Sequence, residues 1–156
     1  MSAQTLDPGL AVVERLRGAM NEHDLDALVD VFDADVVSET PAHPQRTFRG
    51  SDQVRRNWEQ IFAGVPDLRA DLLDAVVQAD TVWAEWDWHG TRRDGSDHRM
   101  RGVTILRLKT SRVVSVHFYM EPVDEAGVGP DDAVRRIVAG VQATRAPGAT
   151  GTAVSR

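Results

Sequence analysis

The spacing of apolar residues along the chain changes near residue 68. Before that point apolar residues recur every three or four positions, which is the period of an amphipathic helix. After it they alternate with polar residues, which is the period of a strand with one buried face. The chain is therefore expected to place helices first and strands second.

Capping residues mark the expected helix boundaries. Asp7 can accept hydrogen bonds from the first free backbone N–H groups and Pro8 suits the first helical position, so the first helix should run from about 8 to 21. Asp24 should cap a second, short helix, and a third should end at Gly64. The apolar stripes of the second and third helices are Leu25, Leu28, Val29 and Phe32, and Val54, Trp58, Ile61 and Phe62.

Four long strands are expected near 68–78, 81–90, 98–109 and 112–121, with a short strand at 36–39 before them. The connections between the long strands are short and polar, and such turns join antiparallel neighbours as hairpins. Helices gathered at one end of a chain and a strand meander at the other indicate a layered α+β fold.

The length of 156 residues suits a single domain, which we expect to occupy residues 1–144. A last helix should begin at Asp131 and reach about residue 144. Residues 145–156 are mostly Gly, Ala, Thr and Ser without periodicity, and they are expected to form a disordered tail.

Strand alternation sorts the meander into an apolar face and a charged face. The apolar face should meet the helices, and it consists of Val82, Ala84, Trp86, Trp88, Met100, Gly102, Thr104, Leu106, Leu108, Val114, Val116, Phe118 and Met120. On the other face Glu85 and Asp87 can pair with Arg99 and Arg101 across a hairpin. Together with Trp58 and Phe62, the apolar face predicts a pocket for a flat, apolar molecule. A solid core without a pocket remains the alternative.

Composition removes several classes of function. The net charge is −6 and no long Lys/Arg run is present, which argues against a nucleic acid or an anionic membrane as the main partner. Zero cysteines exclude disulfides, thiolate nucleophiles and cysteine-ligated zinc. The first twenty residues carry charges at Asp7, Glu14, Arg15 and Arg17, and no apolar run approaches about 18 residues. A cytoplasmic location is therefore expected.

Two polar segments are candidates for acid/base chemistry. Glu39 lies just before Pro41 with His43 four residues on, in a loop expected at the pocket mouth, where a carboxylate can act as general acid or base. The alternative is that Glu39 caps a neighbour and His43 is solvated. Tyr119 and Glu121 end the final strand, where a one-residue bulge would turn either side chain inward.

A metal site is not predicted. Glu85, Asp87 and His89 are spaced by two residues on one strand, so their side chains are aligned rather than converging on one ion. Salt bridges are the favoured interpretation of these charges.

Several short strings, in this order, resemble the SnoaL-like branch of the nuclear transport factor 2-like superfamily over about residues 10 to 123. They are Met20 to Leu28, Phe48-Arg49-Gly50, Pro66-Asp67, Glu85-Trp86, Arg101 to Ile105, and Phe118 to Pro122. The resemblance implies a cone-like fold in which N-terminal helices pack on a curved antiparallel sheet and enclose one pocket. It also implies a homodimer through the outer sheet face and no cofactor.

The resemblance leaves the function open between two classes, because the family includes cyclases, isomerases and epoxide hydrolases as well as domains that only bind. The first expectation is a cofactor-independent enzyme with Glu39 as acid/base, at a position that is polar in the epoxide hydrolases, assisted by His43 or Glu121. The second is a non-catalytic domain for an apolar small ligand. It is favoured by Phe118, which stands where cyclases and epoxide hydrolases tend to have an acid/base Asp. The expected ligand contacts are Trp58, Phe62, Trp86, Trp88, Met100, Phe118, Tyr119 and Met120. A dimeric interaction module without a pocket is a third hypothesis.

Overall fold

The computed structural model describes residues 5–140, which fall into two compact units divided between Val123 and Asp124. The predicted tail at 145–156 and the end of the predicted last helix lie outside the described residues. All strands and the first three helices belong to the first unit.

Three helices precede the long strands, as predicted: α1 (Pro8–Glu22), α2 (Leu25–Asp30) and α3 (Ser51–Gly64). Asp7 Oδ1 accepts a hydrogen bond from the Gly9 backbone N–H at 2.7 Å, which confirms the first predicted cap. Asp24 Oδ1 accepts from the Ala27 N–H at 3.0 Å and confirms the second. No helix within residues 5–140 is long and apolar enough to cross a membrane.

The strands form one six-stranded, curved sheet in the order β2-β1-β6-β5-β4-β3. Their bounds are β1 Phe32–Glu39, β2 Phe48–Arg49, β3 Arg69–Gln78, β4 Thr81–Thr91, β5 Asp97–Lys109 and β6 Arg112–Pro122. β1 pairs with β6 in parallel, and every other pair is antiparallel. The α+β fold and the four-strand meander are confirmed. The short first strand is longer than predicted and takes Phe32 from the second helix, and β2 lies in the segment expected to be a loop.

Helix α1 is attached to the edge strand β3 by a side chain as well as by apolar packing. Asn21 Nδ2 donates to the Ala70 carbonyl at 3.0 Å, and Asn21 Oδ1 accepts from the Ala70 N–H at 2.7 Å. This pair of bonds satisfies edge-strand backbone groups that would otherwise be unpaired. The core between the helices and the sheet includes the fully buried Trp86, Met20, Leu28, Leu68, Leu106 and Met120.

The predicted inner face is correct for β4 and β5 but wrong at the start of β6. The register of β5 and β6 shifts between Arg107 and Leu108, so that Leu108 lies opposite Val113 and Arg107 opposite Ser115. Val114 is the extra residue of this bulge, and Val113 is completely buried in its place. Strict alternation cannot anticipate such an insertion.

Gly102 allows β5 to pass unusually close to β6. Its φ angle is 152°, and a Cβ atom at this position would clash with the carbonyl oxygen of Tyr119. Gly102 also lies directly opposite Trp86 on β4. The absence of a side chain at this position therefore permits the close approach of β5 and β6.

The second unit contains helix α4 (Pro130–Val138), so a helix near the predicted start at Asp131 is confirmed. Pro130 occupies its first turn, and Arg135 Nη1 pairs with Asp132 Oδ1 at 2.8 Å.

Candidate functional site

A cavity of about 250 Å³ lies between the helices and the inner face of the sheet. Its aromatic wall consists of Phe32, Phe48, Trp58, Trp86, Trp88 and Phe118. Its polar side chains are Ser38, Thr40, Arg46, Asn57 and Thr104, and the remainder are aliphatic residues and Met20. The solid-core alternative does not describe this part of the structure.

Four rings of the aromatic wall, those of Trp58, Trp86, Trp88 and Phe118, form a connected cluster. The rings of Trp58 and Trp88 are 5.3 Å apart between centroids, and Phe118 lies 5.9 Å from Trp88. Trp86 meets Trp88 edge-on at 6.3 Å. Tilted and edge-on contacts at these distances are favourable between aromatic rings, so helix α3 and strands β4 and β6 hold one another in place around the cavity.

Two tryptophan N–H groups in this wall differ in their hydrogen bonding. Trp86 Nε1 donates to Thr104 Oγ1 at 2.9 Å, in a buried contact. Trp88 Nε1 is the one buried side-chain polar atom within residues 5–140 that has no partner. An unsatisfied buried donor costs about 1–3 kcal/mol, so an acceptor that reached this nitrogen would be stabilising.

Most of the polar side chains at the cavity have hydrogen-bonding capacity to spare. Asn57 accepts from Gln53 Nε2 at 2.8 Å through Oδ1, which leaves its own N–H groups unengaged. Within residues 5–140, the side chains of Ser38 and Arg46 make no hydrogen bond or ion pair. These groups can recognise the polar part of a ligand.

The acid/base candidate Glu39 lies on the outer face of β1. Its neighbour Ser38 faces the cavity, and Glu39 Oε2 is 3.2 Å from His117 Nε2 on β6. The Glu39 side chain is 49% exposed, as expected for the outer face of a sheet. Glu39 does not line the cavity.

The structure brings together the other two acid/base candidates, although they are far apart in sequence. His43 Nε2 is 2.8 Å from Glu121 Oε1, and both side chains are partly exposed outside the cavity. The register of β5 and β6 is continuous from Met100 to Arg107, so no bulge turns Tyr119 or Glu121 inward. Tyr119 is 43% exposed on the outer face and does not line the cavity.

Three further expected ligand contacts belong to the surrounding core rather than to the cavity wall. Phe62 stacks on His23 with centroids 4.5 Å apart and supports Trp58 from behind. Met120 is buried, and Met100 is partly buried beside the end of β6. The cavity wall therefore retains Trp58, Trp86, Trp88 and Phe118 of the expected contacts.

Of the charged residues of β4, Asp87 and His89 form ion pairs, whereas Glu85 lies opposite Val103 and forms none within residues 5–140. The expected pairing across the hairpin is therefore confirmed for Asp87 and wrong for Glu85. Asp87 Oδ2 is 2.9 Å from Arg99 and 3.8 Å from Arg101, and His89 Nε2 is 3.0 Å from Asp71. The hydrogen bond from Arg99 lowers the pKa of Asp87 and outweighs the opposing effect of burial. Among residues 5–140, no group of three or more His, Asp and Glu side chains could hold a metal ion.

The family model of the SnoaL-like domain matches residues 13–116, which is more than half of the chain. The chain belongs to the SnoaL-like family. No curated protein matches this SnoaL-like domain in sequence.

Solved structures share the fold of this SnoaL-like domain. A hypothetical protein of Catenulispora acidiphila DSM 44928, with a ketosteroid isomerase-like fold and bound trimethylamine, is 20% identical with a TM-score of 0.59. The match covers 69% of this chain and 84% of that one. An NTF2-like protein of unknown function from Burkholderia pseudomallei K96243 is 15% identical, with a TM-score of 0.65 and coverage of 74% and 92%. An LEH-like epoxide hydrolase of M. tuberculosis is 13% identical, with a TM-score of 0.63 and coverage of 73% and 83%.

The sequence analysis did not identify Ser38 and Thr40 as polar residues of this SnoaL-like cavity. Val36, Ser38 and Thr40 are all buried, whereas Glu39 between them is exposed. This alternation is visible in the sequence and would have assigned Ser38 and Thr40 to the cavity side and Glu39 to the outer side. No comparable signal marks Arg46, because its position depends on the path of the loop.

Proposed function

We propose that this SnoaL-like domain binds a small, largely apolar molecule of one or two rings without performing acid/base chemistry on it. The observation that carries the proposal is the composition of the cavity wall. It contains three tryptophans and three phenylalanines, but no Asp, Glu, His, Lys or Tyr. Such a wall offers flat apolar contact and a few orienting polar groups, which is typical of ligand sites, and it lacks a side chain suited to move a proton.

The volume of the cavity supports a small ligand. At about 250 Å³ it lies slightly below the roughly 300–1,000 Å³ that is common for drug-sized molecules. A naphthalene-sized molecule is therefore a better probe than a four-ring compound.

The experiment compares a filled cavity with a matched surface change. Val116 lines the cavity, whereas Val76 is 59% exposed on the sheet and does not. Thermal unfolding of wild type, Val116→Phe and Val76→Phe is followed by circular dichroism with and without 2-naphthol and 2-naphthamide. A ligand at one hundred times its Kd stabilises the native state by about 2.7 kcal/mol.

We expect the probes to raise the Tm of wild type and of Val76→Phe, and to have no effect on Val116→Phe. Near-ultraviolet circular dichroism checks that Val116→Phe is folded. Equal shifts in all three proteins would mean that the probes bind outside the cavity, and no shift in wild type would contradict the proposal.

A second candidate function is cofactor-independent catalysis, as a cyclase, an isomerase or an epoxide-opening enzyme. The contact that favours it is the His43–Glu121 pair at 2.8 Å, because a carboxylate that orients an imidazole is a common acid/base arrangement. Glu39 with His117 is a similar pair. Hydrolysis of styrene oxide by wild type, Glu121→Gln and Glu39→Gln tests this candidate. The catalytic candidate requires that wild type hydrolyses styrene oxide and that at least one of the two variants does not.

The proposal also includes a homodimer formed through the outer face of the sheet and a cytoplasmic location. The outer face carries the exposed side chains of Trp83 and Tyr119, at 50% and 43%, together with Val76. Exposed aromatic residues of this kind are typical of protein interfaces. Sedimentation equilibrium of wild type and Trp83→Glu tests the dimer, and fractionation of cells expressing the full chain tests the location.

A further inference from the structure

The cavity carries one cationic side chain, and no acid of the described chain neutralises it. Arg46 lies in a short 3-10 helix, Pro44–Arg46, between β1 and β2, and lines the cavity. Within residues 5–140 its guanidinium forms no ion pair. Arg46 is exposed, so the five N–H donors of its planar fork are available at the edge of a largely apolar cavity.

Two carboxylates at the ends of β1 and β6, Glu39 and Glu121, already have other partners. Glu39 pairs with His117, and Glu121 pairs with His43. Both pairs lie outside the cavity wall, so neither supplies a counter-charge inside it. An anion that entered the cavity would not have to displace an internal partner of Arg46.

The loop that carries Arg46 is held by several contacts. The backbone N–H of His43 donates to the Thr40 carbonyl at 2.8 Å, and that of Arg46 donates to the His43 carbonyl at 2.9 Å. The His43 side chain anchors the same loop to Glu121 on β6. A loop anchored in this way loses less conformational entropy when a ligand binds.

The other polar groups of the cavity are of the type that completes a carboxylate site. The Ser38 hydroxyl and the Asn57 side-chain N–H groups can donate hydrogen bonds, and both line the same cavity as Arg46. A guanidinium binds a planar carboxylate through two parallel, charge-assisted hydrogen bonds.

We infer that the ligand of this cavity is an aromatic or alicyclic carboxylate, with its ring against the tryptophan wall and its carboxylate on Arg46. The inference rests on the proposed binding function and specifies the chemical class of the ligand. The protein as a whole carries a net charge of −6, which repels anions at long range. A preference for an anion must therefore arise locally.

The test uses matched acids and amides, because an amide has nearly the same shape as the acid without its charge. Calorimetric titration measures the Kd of 2-naphthoate, 2-naphthamide, benzoate and benzamide at about 0.15 M salt, where long-range charge effects are largely screened. The variants are Arg46→Gln, Arg46→Lys and, as a matched control, Arg49→Gln. Arg49 is an exposed arginine of β2 that does not line the cavity.

We expect wild type and Arg49→Gln to bind each acid about tenfold or more tightly than its amide, since charge-assisted bonds are the strong ones. Arg46→Gln should bind acid and amide equally, and Arg46→Lys should fall between them because a lysine keeps the charge without the fork.

Equal affinity of wild type for acid and amide would overturn the inference while leaving the binding proposal intact. The same loss in Arg46→Gln and Arg49→Gln would overturn it as well, because the effect would then be one of general surface charge. If no acid and no amide binds to wild type, both this inference and the proposed function fail.

Discussion

The hydrogen bond between Trp86 and Thr104 gives the sharpest test of the cavity wall. Trp86 is fully buried and Thr104 is 5% exposed, and the donor–acceptor distance is 2.9 Å. In Thr104→Val the side chain keeps its shape and loses its acceptor. The indole N–H is then left buried without a partner, which costs about 1–3 kcal/mol.

The single substitution also changes packing, so a double-mutant cycle is needed to isolate the bond. In the Trp86→Phe background no indole donor remains, and Thr104→Val should then change the free energy of unfolding by only about 0.5 kcal/mol or less. The difference between the two backgrounds, about 1–2 kcal/mol, is the coupling energy of the hydrogen bond.

Urea unfolding followed by far-ultraviolet circular dichroism measures all four proteins, because removal of a tryptophan does not impair this signal. Unchanged m-values would show that the substitutions act on stability and not on compactness. A coupling energy below about 0.5 kcal/mol would refute the reasoning, since the indole would then find another partner, such as water in the cavity.

Three further substitutions test features outside the cavity. Gly102→Ala should lower the free energy of unfolding by about 2 kcal/mol or more in urea titrations, because its Cβ would clash with the backbone of β6; a neutral effect would contradict the close approach. The hydrogen bond from Arg99 lowers the pKa of Asp87, so its stabilisation is present above about pH 4 and is lost as the pH falls through the native pKa. Asp87→Asn should cost about 1 kcal/mol at pH 7, and the gap from wild type should close in urea titrations towards pH 2.5. Burial lowers the pKa of His98, so wild type should lose stability as the pH falls below about 6.5, and His98→Gln should show a smaller difference in urea midpoint between pH 7 and 5.

The meander could be predicted from the sequence because each strand carries its own signal. Alternation over ten or more residues and short polar turns determined both the bounds of β3 to β6 and the inner face of β4 and β5. The bulge at Val114 was not predictable, because it depends on how β6 accommodates both β5 and the parallel strand β1.

The misplacement of Glu39 has a different cause. A strand ending at residue 39 was predicted and is observed, but Glu39 was expected to face the pocket mouth, whereas its side chain lies on the outer face of β1. Pairing of Glu39 with His117 in a parallel strand is a long-range contact, and a single sequence does not encode it in any local pattern. By contrast, the face on which Ser38 lies follows from strand alternation. Ser38 is two residues after the apolar Val36, and both side chains are buried.

The distribution of ionisable groups about the sheet is the feature that most constrains the function. The three His–carboxylate pairs of residues 5–140 all lie outside the cavity wall. Phe118, within the wall, occupies the position where the resemblance implies an acid/base Asp. A proton-transfer mechanism inside the cavity would thus need the substrate itself to supply the acid or base. Binding through an apolar wall and one arginine needs no such group. The arrangement therefore favours recognition over proton transfer, and the Arg46 variants address recognition directly.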